Sequence, residues 1–248
     1  MQCRKKCCWR SDRCGCLHKR RRKIPQRSKL DRTNKVDGII DFHYGLNYNI
    51  EWNSMDKFER MSFKMYYRMK VAGVERDLPI CKVTDELYIG AFVIFGDVEL
   101  TEKCAAELLK KAPVYDYLLT AEAKGIPLIH EMARQSGQNK YLLARKGPKL
   151  YMRDILDVAV HSITTAKEQH LYLDGNDAAL IKGKRVLLID DVISTGESLT
   201  ALEKLVEAAG GIVCGKMAIL AEGDAQDRED ILYLEKLPLF NADGSVKE

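Results

Sequence analysis

The chain has 248 residues, 46% hydrophobic and 31% charged, which is the make-up of a globular protein of one domain with an appendage, or of two small domains. No apolar run approaches the roughly 20 residues of a membrane-spanning helix, and the amino terminus lacks the apolar core of a secretory signal. The net charge of +4 is uneven: residues 1–35 hold 14 Lys and Arg against 2 Asp and Glu, the remainder 26 against 34, so any basic nucleic-acid footprint is confined to the tail.

Residues 1–54 form that tail. They carry Cys3, Cys7, Cys8, Cys14 and Cys16 in a C-x3-C-C-x5-C-x-C pattern, which departs from the paired CxxC or Cys/His spacing of zinc sites. Basic attraction to nucleic acid has no recognition module behind it here. The segment reads as a disordered extension, or as residues outside the native protein with the start at Met55, Met61, Met65 or Met69. Residues 55–248 read as the globular domain. Cys81, Cys104 and Cys214 stand isolated in apolar surroundings and read as reduced core residues, which suits a cytoplasmic protein.

From about residue 64 to residue 100 short strand-like pieces (LPICKV, ELYIGAFVIFG) alternate with turns, giving a small irregular lobe with Tyr88, Phe92 and Phe95. LTEKCAAELLKK, from Leu100 to Lys111, reads as a helix with Thr101 as its N-cap. VYDYLLT, starting at Val114, reads as a buried strand, the run from Ala121 to Gly125 as a loop, PLIHEMARQSG as a helix and KYLLARK as a second strand. This βαβ unit places residues 121–125 and Arg145-Lys146 at the carboxyl ends of parallel strands, where ligands of such sheets bind. Arg145, Lys146 and Lys149 put three cations within five residues, which suits a polyanionic ligand. In the long connection that follows, Ser162 to Thr165 and Leu171 to Leu173 look strand-like; His161 and His170 read as ordinary loop residues.

The most informative stretch is Arg185 to Gly211. Val186, Leu187, Leu188 and Ile189 form a continuous apolar run, the mark of a strand buried on both faces. Asp190 and Asp191 follow at its end, then the hydroxyl-rich loop Ser194-Thr195-Gly196-Glu197-Ser198, then a helical pattern through Leu199, Leu202, Leu205 and Val206, stopped by Gly210-Gly211. A loop entering a helix amino terminus offers free backbone N–H groups and the positive end of the dipole. Ser194, Thr195 and Ser198 add hydroxyl donors, and Gly196 permits close approach. This is a cradle for a phosphate monoester. The twin carboxylates beside it accept hydrogen bonds from a diol or hold a divalent metal, and phosphate next to diol describes a ribose 5-phosphate group. After this helix, IVCGKMAIL reads as another buried strand, AEGDAQDRED as an acidic loop, ILYLEKLPLF as a last short strand, and NADGSVKE as a frayed end.

Val186 to Ser198 resembles the phosphoribosyl pyrophosphate signature of the type I phosphoribosyltransferases. Ala121-Glu122-Ala123-Lys124-Gly125 resembles the pyrophosphate-binding loop of the family's adenine enzymes, with Lys124 in place of arginine. Arg145-Lys146-Gly147-Pro148-Lys149 resembles their Arg-Lys-x-Gly-Lys segment. The resemblance implies an α/β fold, a Rossmann-like parallel sheet flanked by helices, with a small hood lobe over the base and a flexible hairpin near 162–168 closing over the reacting centre. It implies phosphoribosyl pyrophosphate and a nucleobase as substrates, Mg²⁺ as cofactor, a homodimer, and neither membrane nor nucleic acid as partner. Ser194–Ser198 would hold the 5-phosphate, and Asp190 and Asp191 the ribose hydroxyls, directly or through the metal shell. Lys124, Arg145, Lys146 and Lys149 would meet the pyrophosphate. Adenine is the expected base, although Ser194 matches neither the aspartate of 6-oxopurine enzymes nor the usual alanine of adenine enzymes, and residues 162–168 contain no Glu-Tyr-Gly. A xanthine, guanine or pyrimidine salvage enzyme and a non-catalytic sensor of phosphoribosyl pyrophosphate stay open.

Overall fold

The computed structural model describes residues 65–161 and 168–247. The tail, its cysteines, Met55, Met61 and the run from Ser162 to Lys167 lie outside the described residues. Within them, no helix is long and apolar enough to cross a membrane.

The larger sheet has five strands: β4 (Tyr117–Ala121), β5 (Leu142–Ala144), β8 (Arg185–Ile193), β9 (Ile212–Glu222) and β10 (Leu232–Leu237). Their order is β10-β9-β8-β4-β5 and every pairing is parallel. The apolar run of β8 sits in the middle, and its side chains alternate between two cores. Leu187 and Ile189 pack with Leu128, Ile129 and Met132 of α2 (Ile126–Gln135) and with Leu100, Cys104 and Leu108 of α1 (Val98–Lys111). Val186 and Leu188 pack with Leu199, Leu202, Leu205 and Val206 of α4 (Glu197–Ala208). Helices therefore cover both faces, as an all-parallel sheet requires, and the architecture is the expected Rossmann-like one.

The lobe before α1 is more regular than its sequence suggests. β1 (Tyr66–Val71), β2 (Val74–Lys82), β3 (Tyr88–Gly90) and β11 (Leu239–Phe240) form a four-stranded antiparallel sheet in that order. Ala72 and Gly73, both at positive φ (50° and 78°), make the tight turn between β1 and β2. Phe240 is buried and packs 5.2 Å from the Tyr67 ring, so the carboxyl-terminal strand closes this sheet. A third unit pairs β6 (Leu156–His161) with β7 (Glu168–Leu173) and leads into the short α3 (Gly175–Ile181).

Several boundaries differ from expectation. Helix α1 begins at Val98 and its N-cap is Asp97, whose carboxylate accepts the Leu100 N–H at 3.1 Å. Thr101 lies inside the first turn, its hydroxyl donating to the Asp97 carbonyl at 2.6 Å. A carboxylate both caps and complements the dipole, so it displaces the threonine. Strand β4 starts at Tyr117; Val114 is 72% exposed. Residues 241–247 are tied back rather than frayed: Asn241 N–H donates to Ser245 O, Lys247 N–H to Leu239 O, and Val246 pairs with Phe240. Of the three described cysteines Cys104 alone is buried, its thiol pushed up to about 12 by loss of water; Cys81 and Cys214 are partly exposed.

Candidate active site

Parallel pairing puts the carboxyl ends of β4, β5, β8 and β9 on one edge, so residues 122–125, 145–149, 194–196 and 223–228 are brought together there. All of the sequence-derived candidates lie on this edge.

After β8 the backbone turns at Gly196, in left-handed conformation (φ 77°), and enters α4 without a side-chain cap. Gly196, as N-cap, supplies no side-chain acceptor to the first turn of α4. Ser194 and Thr195 are exposed, Ser198 is half-buried, and the Thr195 hydroxyl stands 3.5 Å from the Glu197 N–H. Ser194 and Thr195 open into a cavity of about 610 Å³. Its other walls are aliphatic side chains of the antiparallel sheet and its loop (Val83, Leu87, Ile89, Leu239) and the Glu222–Arg228 segment. A hydroxyl-rich turn thus borders a pocket with one apolar wall.

Asp190 and Asp191 are treated differently by the fold. Asp191 is 2% exposed. Lys124 Nζ lies 2.8 Å from its Oδ2, which has no aligned hydrogen-bond donor, so the contact is a Coulombic one. Asp190 is half-buried, with its carboxyl turned inward to accept the Asp191 N–H at 2.9 Å. Loss of water first, and the Asp191 charge second, push the Asp190 carboxyl well above the ordinary aspartate range, with Lys124 opposing. Two adjacent carboxylates with one ammonium between them and solvent carry the negative surplus that a divalent cation would neutralise. Mg²⁺ needs only one or two such carboxylates when a substrate phosphate completes its shell, so the donor set fits. Among the described residues no group of three or more His, Cys, Asp and Glu converges on a metal position.

The two cationic loops are stitched together by Glu122. Its Oε1 lies 3.2 Å from Arg145 Nη2, its Oε2 accepts the Lys146 N–H at 3.1 Å, and its own N–H donates to Ala144 O at 2.8 Å. Arg145 is therefore charge-compensated within the protein, and its backbone bonds to Tyr172 of the β6–β7 unit. The ammonium groups of Lys146 and Lys149 have no acidic partner among the described residues. Ala121 is buried as the last residue of β4, Ala123 is exposed, and Gly125 is buried beneath the Asp190 backbone. His161 and His170 are strand residues, of β6 and β7, rather than loop residues, and His170 Nδ1 lies 3.2 Å from Asp157 Oδ2.

Glu222, the last residue of β9, and Asp224 and Arg228 of the acidic loop after it also line the cavity, and none of the three is among the sequence-derived candidates. The position of that loop, at the carboxyl end of a buried strand, was the available signal.

Residues 100–237 match the family described as phosphoribosyl transferase domain. A hypoxanthine/guanine phosphoribosyltransferase of Methanocella paludicola is 32% identical over 146 residues, covering 58% of this chain and 72% of that protein. Its counterpart in Methanothermococcus okinawensis is 31% identical over 150 residues, covering 58% and 78%. Among solved structures, an adenine phosphoribosyltransferase from Trypanosoma brucei, in complex with AMP, pyrophosphate and ribose-5-phosphate, aligns with a TM-score of 0.50 at 19% identity, covering 70% of this chain and 77% of that one. At that identity the likeness is one of fold.

Proposed function

The chain belongs to the phosphoribosyl transferase domain family, and on that footing we propose that it transfers a 5-phosphoribosyl group from phosphoribosyl pyrophosphate to a purine, releasing pyrophosphate. The observation that carries this reading is the open Ser194–Ser198 turn, which leads from Asp190 and Asp191 into the partly apolar cavity.

In this reading the uncapped N–H groups of α4 and the hydroxyls of Ser194, Thr195 and Ser198 bind the 5-phosphate. Asp190 and Asp191 accept hydrogen bonds from the ribose hydroxyls. Lys146 and Lys149, whose ammonium groups have no acidic partner among the described residues, meet the departing pyrophosphate; Lys124 joins them by leaving Asp191. Arg145, its charge balanced by Glu122, holds the two cationic loops together beside the pyrophosphate. Mg²⁺ held by Asp190 and Asp191, through water, would supply further neutralisation of the pyrophosphate. The base ring nitrogen attacks the anomeric carbon, and no residue need act as a covalent nucleophile, since positioning and charge compensation supply the rate.

The base we favour is adenine, on the likeness of residues 121–125 and 145–149 to adenine enzymes. The acceptor groups of Glu222 and Asp224 on the cavity wall suit a base that presents an amino group. Hypoxanthine or guanine is the second reading, favoured by the names of the relatives at 31–32% identity. A panel of adenine, guanine, hypoxanthine and xanthine with phosphoribosyl pyrophosphate and Mg²⁺, followed by pyrophosphate release, decides between them. Tight binding of phosphoribosyl pyrophosphate with no release for any base would replace the enzyme reading with that of a sensor.

A further inference from the structure

The loop after β9 contains an arginine, Arg228, that stands beside Gly196. Arg228 presents Nε and Nη2 to one carboxylate, 2.9 Å from Asp230 Oδ1 and 2.7 Å from Asp230 Oδ2. Asp230 is fixed in turn by Lys216 of β9, whose Nζ lies 2.6 Å from Asp230 Oδ2 and 2.5 Å from Glu203 Oε1 on α4. A chain of alternating charges thus ties the loop to the very helix whose amino terminus forms the phosphate cradle. The fork leaves one nitrogen unused. Nη1 takes part in no hydrogen bond among the described residues, and it occupies the space beside Gly196 into which a Cβ would project. Arg228 also lines the same cavity as Ser194 and Thr195.

We infer that Arg228 is a ligand of the substrate's 5-phosphate, donating from Nη1 across Gly196, and that Asp230 is its positioning residue. The inference rests on the proposed reading of residues 194–198 as the 5-phosphate cradle. Backbone N–H groups and hydroxyls bind a phosphate dianion without neutralising it, whereas a guanidinium contributes a full charge and a directed donor. Two of its nitrogens are spent on orientation, so the third is aimed before the ligand arrives and little side-chain entropy remains to be lost. The absence of a side chain at Gly196 is what admits the guanidinium. Lysine would keep the charge but lose the planar fork that fixes Nη1 while Nε and Nη2 engage Asp230.

The test is calorimetric titration of the full chain with ribose 5-phosphate and, separately, with pyrophosphate. A charge-assisted hydrogen bond to phosphate predicts that Arg228→Gln binds ribose 5-phosphate roughly 10- to 100-fold more weakly while pyrophosphate affinity stays within about twofold. Asp230→Asn should weaken ribose 5-phosphate by a smaller factor, again sparing pyrophosphate. Equal affinity of Arg228→Gln and the unmodified protein for ribose 5-phosphate, or equal losses for both ligands, overturns the inference and leaves the proposed function standing. Failure of the unmodified protein to bind ribose 5-phosphate at all removes the cradle itself. If Arg228→Gln does not fold, Arg228→Lys, which keeps the charge, takes its place: a loss specific to ribose 5-phosphate supports the assignment, and none overturns it.

Discussion

Lys124 Nζ lies 2.8 Å from Asp191 Oδ2, joining the loop after β4 to the end of β8. The ammonium is 48% exposed and the carboxylate 2%. An acid taken out of water at the end of a central strand is thus compensated by a cation that remains partly in water. Under the proposed function, substrate charge would compete with the Asp191 carboxylate for this ammonium and so couple stability of the free protein to occupancy of the site.

Lys124→Met strips the buried carboxylate of its counter-ion. Breaking a fully buried pair costs about 3–5 kcal/mol; with one partner half in solvent the expected loss is about 1–3 kcal/mol. Adding Asp191→Asn removes the orphaned charge and should recover most of it. Urea unfolding of the single and double variants gives the coupling directly.

The pH dependence follows from Asp190. Its folded-state carboxyl is raised above the unfolded value, so the stability it contributes is fully present below the ordinary carboxylate range and lost as pH rises through its folded pKa. Asp190→Asn should flatten that decline in denaturation curves measured from mildly acidic to neutral pH. Activity has the opposite slope, because the ionised carboxylate is the form that accepts sugar hydroxyls. kcat/KM should rise with pH over the same window, and Lys124→Met, by removing a cation that favours ionisation, should move the rise to higher pH.

Gly125 marks where the loop after β4 crosses β8. Its φ of −68° suits any residue, so space alone excludes a side chain. A Cβ there would collide with the Thr120 hydroxyl, and it would lie 3.7 Å from the Asp190 Cα. Gly125→Ala is expected to cost about 1–3 kcal/mol by overpacking and to raise KM for phosphoribosyl pyrophosphate by shifting the cationic loop. Combining it with Thr120→Ala should restore stability, as thermal unfolding will report.

At the opposite edge of the sheet Asp116 accepts three bonds from Arg185, from its N–H at 2.8 Å, Nε at 3.2 Å and Nη2 at 3.0 Å. These hold the Asp116 carboxyl down to about 2. A depressed carboxyl contributes stability above its unfolded pKa, about 3.9, and loses it as pH falls through about 2. Asp116→Asn should therefore weaken the protein at neutral pH and reduce the steepness of acid unfolding, which far-ultraviolet circular dichroism can follow.

The order of residues alone makes legible the central strand, its twin aspartates, the hydroxyl turn and the helix after it, since each is written in the periodicity and chemistry of adjacent residues. It also placed the cationic loops at strand ends, because alternating strand and helix patterns allow few topologies. It is folding that brings Lys124 to Asp191, sets Glu122 against the charge of Arg145, adds Leu239–Phe240 to the antiparallel sheet and stands Arg228 over Gly196. Those relations join residues far apart in the chain, and they are set by strand order and by which charges the fold removes from water together.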